Sequence, residues 1–157
     1  MWQDGKVANE RKEQYKLIIG EATESELTPY IVGCMIIVPS EKMIRTFIEI
    51  PLFTRRWKEI GLDEDALTQL QIMLLKNPES GPIMEGTGGI RKVRFPLKNC
   101  GKRGSVRVCY VDFEEYEITY LITAFKKSEQ ENLTMEEKNV LKKLVKALKD
   151  EAMKNRR

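Results

Sequence analysis

Histidine is absent from the 157 residues, and neither a long apolar run nor a CxxC motif is present. Without an imidazole, Ser-His-Asp triads, Cys-His dyads and His-ligated zinc are excluded. The cysteines are odd in number (Cys34, Cys100 and Cys109), which predicts reduced thiols of a cytoplasmic protein rather than a disulfide framework. The longest apolar run, residues 30–38, is too short for a bilayer and no signal sequence is recognisable, so we expect neither a membrane protein nor a secreted one.

Positive charge is concentrated in one stretch of the chain. Lys and Arg number 27 against 24 Asp and Glu, for a net charge of +3. Residues 91–107 nevertheless contain seven basic side chains and no acidic one. Such a stripe on a nearly neutral protein favours a polyanionic partner, and a solvated loop is the alternative explanation.

Apolar periodicity predicts an α+β fold in one domain. Alternation predicts strands at residues 44–50, 90–95, 105–113 and 116–125, and residues 30–38 also have strand composition. Helical spacing predicts helices at residues 53–60, 63–76 and 134–153. The resulting order is β-α-α-β-β-β-α, a small antiparallel sheet with two N-terminal helices and a C-terminal helix. We divide the chain into an extension of unclear role, residues 1–42, and a domain, residues 43–157.

Three cations are expected on one face of this sheet. Lys92 and Arg94 are two residues apart on a strand, so their side chains point the same way, although Ile90 shares their face. Antiparallel pairing can bring Arg107 of the next strand beside them. Because like charges repel, the cluster favours an anionic ligand; the alternative is that each cation pairs with a glutamate.

Such a cluster can cleave RNA without a metal ion. The 2′-OH attacks the adjacent phosphate and leaves a cyclic phosphate and a 5′-OH. This needs a proton acceptor, cations at the pentavalent transition state and a proton donor. A lysine crowded by other cations can become a base, and an arginine fork suits phosphoryl oxygens. Without histidine, we expect slow chemistry unless a partner contributes.

Three other features have structural explanations. The Gly-Thr-Gly-Gly run at residues 86–89 follows a helix and precedes a strand, unlike a P-loop. We favour a flexible turn there, with close approach to a ligand phosphate as the alternative. Trp57 has helical spacing with Phe53 and Ile60, which predicts a core position. Cys100, within the basic stretch, is interpreted as incidental rather than nucleophilic.

Residues 85–94, 101–110 and 121–129 contain the motifs GTGG-I-RK-V-R, GKRG-x-x-R and LITAFKKSE. Together these blocks resemble the RelE and HigB toxins of type II toxin–antitoxin modules, nearest the HigB branch, over about residues 43–152. The resemblance implies a RelE-like fold and a cytoplasmic, cofactor-free endoribonuclease that cuts mRNA on the 70S ribosome. It also implies a cognate antitoxin, HigA-like with a helix-turn-helix domain, through which alone operator DNA is bound.

The resemblance also implies roles for individual positions. Lys92 matches a residue of proton transfer, Arg94 a phosphate or ribosomal RNA contact, and Arg107 the arginine that stabilises the transition-state phosphate. RNA or ribosome binding is expected of Arg91, Lys98, Lys102, Arg103, Phe125, Lys126 and Lys127. No metal ligands are implied.

The chain departs from the family pattern near its C-terminus. Ser128 stands where RelE has an arginine, and no tyrosine follows Tyr120, whereas RelE has one that stacks on the substrate base. Phe125 can stack but cannot donate a proton, so the general acid is unassigned. Two alternatives stay open: a ParE-like toxin that binds DNA gyrase without nuclease activity, and a decayed, inactive toxin. The seven cations of residues 91–107 favour the nuclease.

Residues 1–42 have no counterpart in the resemblance, and Met43 lies immediately before the first expected strand. We therefore hypothesise that the natural start is Met43 or Met35. Intact-mass analysis of the endogenous protein tests this, and a species that begins at Met1 would contradict it.

Overall fold

The computed structural model describes residues 33–38, 43–97, 105–126 and 133–155. In these ranges, five strands form one sheet and three α-helices cover it. The elements are β1 Gly33–Val38, β2 Met43–Glu49, α1 Pro51–Ile60, α2 Glu64–Lys76, β3 Arg91–Pro96, β4 Ser105–Phe113, β5 Ile118–Lys126 and α3 Met135–Asn155. None of these helices is long and apolar enough to cross a membrane. The predicted α+β class and element order are confirmed.

The sheet is mixed, with spatial order β1-β2-β5-β4-β3. The pairs β1–β2, β3–β4 and β4–β5 are antiparallel, but β2 runs parallel to β5 from Thr46 opposite Ile118 to Glu49 opposite Leu121. The prediction of a purely antiparallel sheet is therefore wrong at this pair. Only a tight hairpin forces antiparallel pairing, whereas β2 and β5 are joined through two helices and two strands.

β1 lies within the segment that we assigned to the extension. It adds an edge strand to the sheet, with Gly33 opposite Ile48 and Val38 opposite Met43. The strand expected at residues 30–38 is confirmed over Gly33–Val38, and residues 30–32 lie outside the described residues. The boundary between residues 42 and 43 stays a prediction.

The first two helices begin and end where local chemistry dictates. Pro51 occupies the first turn of α1, which suits its fixed φ and missing N–H, so this helix starts two residues earlier than predicted. Gly61 ends it in a left-handed conformation with φ of 90°. The Asp63 carboxylate caps α2 by accepting a hydrogen bond from the Ala66 N–H at 2.8 Å.

Aromatic rings fill the side of the sheet that faces α1 and α2. Trp57 is only 4% exposed and stacks on Phe53, with ring centroids 5.2 Å apart. Its ring also lies 5.8 Å from Phe95 of β3, and its indole N–H donates to the Asp63 carbonyl at 3.2 Å. The predicted core position of Trp57 is confirmed.

The opposite side of the sheet is covered by α3. A capping box opens this helix: the Glu137 N–H donates to Thr134 Oγ1 at 3.2 Å, and the Thr134 N–H donates to the Glu137 carboxylate at 2.7 Å. The buried stripe of α3 consists of Val140, Leu141, Leu144, Val145, Leu148 and Ala152. β5 is the middle strand of the sheet, and helices cover both of its faces.

Two fully buried tyrosines differ in whether their hydroxyl groups have hydrogen-bond partners. The Tyr110 hydroxyl accepts from the Gly81 N–H at 3.2 Å and donates to the Pro78 carbonyl at 2.7 Å, which anchors the loop between α2 and β3. The Tyr120 hydroxyl has no hydrogen-bond partner in the described part of the chain, and burial raises its pKa to about 12.

We expect Tyr110→Phe and Tyr120→Phe to change stability in different directions. Tyr110→Phe should lower the free energy of unfolding by about 1–3 kcal/mol, because the buried Gly81 N–H and the part-buried Pro78 carbonyl lose their partner. Tyr120→Phe should leave it unchanged or raise it, because an unsatisfied buried hydroxyl is removed. Urea unfolding of both variants measures the difference, and equal destabilisation by the two would contradict the hydrogen-bond assignment.

Candidate functional site

Lys92, Arg94 and Arg107 lie on the side of the sheet that faces α3. In the register of β3 and β4, Arg94 is directly opposite Arg107, and Lys92 is opposite Cys109. Cys109 belongs to the hydrophobic cluster under α3, and alternation along each strand places the three cations on that same side. The expectation that these cations share a face is confirmed.

β5 extends the arrangement into two short rows across the sheet. Thr123 is opposite Cys109 and Phe125 is opposite Arg107. We call these the Lys92 row, which contains Lys92, Cys109 and Thr123, and the Arg107 row, which contains Arg94, Arg107 and Phe125. Neighbours within a row have Cβ atoms about 5 Å apart, so the cationic ends can reach one phosphate group.

A β-bulge places the two rows beside the core that α3 covers. The register passes from Cys109 opposite Thr123 to Tyr110 opposite Leu121, so β5 contains one extra residue, Ile122. Ile122 packs in the cluster under α3, as does Phe125, although simple alternation would put them on opposite faces. Bulges re-aim side chains in this way and are frequent near functional sites. Neither the bulge nor the position of Thr123 is predictable from the sequence, because neither leaves a periodic signal.

The electrostatics of the rows favour an anion. Arg94 is exposed, and Lys92 and Arg107 are half-buried. Among the described residues, neither Lys92 nor Arg107 forms an ion pair with an acidic side chain. Like charges directly opposite each other on antiparallel strands repel, so a bound phosphate would stabilise the Arg94–Arg107 pair.

Cys109 lies in the Lys92 row but is not suited to nucleophilic chemistry. Its side chain is buried, and burial raises the pKa of its thiol to about 12, with the charge of Lys92 acting in the opposite direction. The thiol is therefore protonated at neutral pH, and thiolate is the reactive form.

Arg91 and Lys126, both expected to bind RNA, lie away from the rows. The Arg91 guanidinium donates to the Gly81 carbonyl at 2.8 Å and lies 3.7 Å from the Glu79 carboxylate, so it holds the loop before β3. Lys126 is opposite Val106, whose side chain packs on the side facing α1 and α2.

Phe125 is 8% exposed and packs in the core under α3. Stacking on a base would require its ring to leave that core, so the geometry gives this expectation no support. The remaining predicted contacts, Lys98, Lys102, Arg103 and Lys127, lie outside the described residues, as does Ser128.

The Gly-Thr-Gly-Gly run forms a fixed turn packed against α3. The Thr87 hydroxyl donates to the Met84 carbonyl at 2.6 Å and accepts from the Ile90 N–H at 3.2 Å. All three glycines have positive φ, and a Cβ on Gly88 would lie 3.4 Å from Lys142 Cγ. These contacts favour a structural role, and the turn is held by hydrogen bonds rather than being merely flexible. No group of three or more Cys, Asp or Glu side chains in the described ranges could hold a metal ion.

Most of the chain matches the model of a known protein family. The family model for the RelE toxin of the RelE/RelB toxin–antitoxin system matches residues 52–155, about two thirds of the chain. The matched stretch begins in α1 and ends at the last residue of α3. It includes Lys92, Arg94 and Arg107.

Removal of charge at Arg91 and at Arg107 should affect stability differently. We expect Arg91→Met to lower the free energy of unfolding by about 1–2 kcal/mol, because a charged hydrogen bond to a backbone carbonyl is lost. Arg107→Met keeps most of the side-chain stem and removes repulsion with Arg94, so it should be neutral or stabilising. Urea unfolding tests this, and a larger loss for Arg107→Met would show that Arg107 is a structural anchor.

Proposed function

The chain belongs to the RelE family of toxins from toxin–antitoxin systems, and on that premise we propose that it is an endoribonuclease that cleaves mRNA on the ribosome. The observation that carries the proposal is the placement of Arg94 opposite Arg107, with Lys92 two residues away on the same face. This arrangement offers two planar guanidinium groups and one amine to a single phosphodiester.

The proposed reaction is attack of a 2′-OH on its neighbouring phosphate. The bond from the 2′ oxygen to phosphorus forms, the bond from phosphorus to the 5′ oxygen breaks, and a 2′,3′-cyclic phosphate remains. Arg94 and Arg107 bind the non-bridging oxygens, where negative charge increases in the transition state. Lys92 accepts the 2′ proton.

The second proton transfer supports dependence on the ribosome. The leaving 5′ oxygen needs a proton, and Lys92 is already assigned to the 2′ proton. The buried Cys109 thiol, with a pKa of about 12, and the Thr123 hydroxyl are poor acids. We therefore propose that the ribosome, with the bound mRNA, supplies or orients the proton donor, so that free RNA is cut slowly.

The family implies an antitoxin partner. From the sequence resemblance to the HigB branch, we further propose that this antitoxin is HigA-like, that it carries the DNA-binding function of the pair, and that the toxin acts in the cytoplasm. The toxin domain itself then contacts mRNA and ribosome rather than operator DNA.

Primer extension on free mRNA and on mRNA-programmed ribosomes tests the nuclease. We expect wild-type protein to cut mRNA on ribosomes and to leave 2′,3′-cyclic phosphate ends. Arg107→Met should reduce the rate by about 10²–10³, because one donor to the transition-state phosphate is lost.

Lys76→Met is the matched control, since it removes one exposed charge from the end of α2 on the opposite side of the sheet. Its cleavage rate should equal that of the wild type. No cleavage of either substrate by folded protein would contradict the nuclease proposal, and inhibition of DNA supercoiling would then assign the ParE-like activity instead.

A further inference from the structure

A row of lysines runs along the solvent side of α3, separate from the cations of the sheet. Lys138, Lys142, Lys146 and Lys149 follow one another at spacings of four, four and three residues, so they share one face of the helix. The row is about 16 Å long. The last three of these side chains are exposed and the first is half-buried.

This lysine row borders an open groove beside the glycine turn. The groove has a volume of about 590 Å³, and its lining includes Gly88, three lysines of the row and Lys143, with no acidic residue. Because Gly88 has no side chain, backbone forms that edge of the groove. Glu115 is the described acidic partner of the row, and its carboxylate lies 3.4 Å from Lys149 Nζ. Glu115 is half-exposed and lies outside the groove lining.

The row is unfavourable for an isolated helix. Like charges four residues apart repel, and each pair costs about 0.2–0.5 kcal/mol. The helix dipole favours cations only in the last turn, whereas Lys138 and Lys142 lie in the N-terminal half of α3. On a solvated helix face nothing offsets the repulsion between the lysines or their unfavourable position in the helix dipole. A bound polyanion would offset both.

The row also lies near the cations of the sheet. Gly88 and Lys92 are four residues apart, so their Cα atoms are separated by at most about 15 Å. A Cβ on Gly88 would lie 3.6 Å from the Cα of Lys142. Lys142 is therefore within about 20 Å of Lys92 on the same side of the sheet. A few nucleotides of one RNA strand can span this distance.

We propose that the lysine row of α3 is a docking surface for the sugar–phosphate backbone of structured RNA. The proposal extends the function proposed above, because the RNA in question would be that of the ribosome. Four lysines dominate the groove lining, beside Asn139 and the largely buried Val145, so phosphate contacts would outnumber base contacts and sequence preference should be weak.

The composition of the surface favours RNA over an acidic protein. Protein interfaces are depleted in lysine and depend on buried apolar or aromatic anchors. The exposed hydrophobic residues of α3 are Met135 and Met153, and they stand at opposite ends of the helix, about 27 Å apart. They cannot form one apolar patch at the centre of an interface.

Fluorescence anisotropy with a labelled 20-base-pair RNA hairpin, titrated with full-length protein at several salt concentrations, tests the docking surface. We expect Lys142→Gln/Lys146→Gln to weaken binding by on the order of tenfold. The slope of log K against log salt should fall by about 1.8, as expected for two lost phosphate contacts. The matched control is Lys58→Gln/Lys76→Gln, which removes two exposed charges from α1 and α2, and it should bind like the wild type.

The outcomes separate this proposal from the nuclease. Arg107→Met should lose cleavage even at saturating ribosome concentrations, whereas the lysine variant should cleave programmed ribosomes with raised KM and unchanged kcat. Equal effects of the lysine variant and its control on binding, or no hairpin binding by the wild type, would overturn the docking surface and leave the nuclease standing. Loss of antitoxin binding without loss of hairpin binding would also overturn it and assign the row to the antitoxin.

Discussion

β5 carries apolar side chains on both faces, and neither face can be left in water. One face contributes Leu121 and Ala124 to the core under α1 and α2, and the other contributes Tyr120 and Ile122 to the core under α3. Two layers of helices are therefore required, one on each side of the sheet. The cations of β3 and β4 lie on the side that α3 covers, at the outer edge of the sheet away from β2. A site at that edge rests on a rigid, doubly covered sheet, which suits catalysis that depends on fixed donors.

The three middle strands are also held together by a polar contact. The Arg45 guanidinium of β2 binds the Asp112 carboxylate of β4 at 3.0 Å, and the Thr119 hydroxyl of β5, the strand between them, donates to the same carboxylate. Arg45 and Asp112 are 67 residues apart in sequence and their side chains are only 15% and 10% exposed. Removal of either partner would leave a largely buried charge, so loss of one side chain would destabilise the contact between β2, β5 and β4.

Local signals explain what was predictable from the sequence. The faces of β3 and β4, the capping box at Thr134 and the core position of Trp57 follow from spacings within a few residues. The direction of β2 against β5, the bulge at Ile122 and the engagement of Arg91 with Gly81 depend on partners distant in the chain. Arg91 illustrates the difference: its position in the basic stretch suggested RNA binding, but its neighbours in space make it an anchor of the preceding loop.

The two positively charged surfaces differ in their side chains, which fits the different RNA contacts proposed for them. At the sheet, Arg94 and Arg107 lie opposite each other on neighbouring strands, and the hydrogen bonds between the strands fix their backbone positions. Their planar guanidinium groups suit a single transition-state phosphate. On α3, exposed lysines are flexible point charges that follow an irregular backbone without fixed geometry. Only the first is visible in the sequence, because its cations are concentrated in residues 91–107. Lysines spread along an amphipathic helix look like an ordinary solvated face. Their alignment beside the backbone of Gly88 becomes visible only once the turn is packed against the helix.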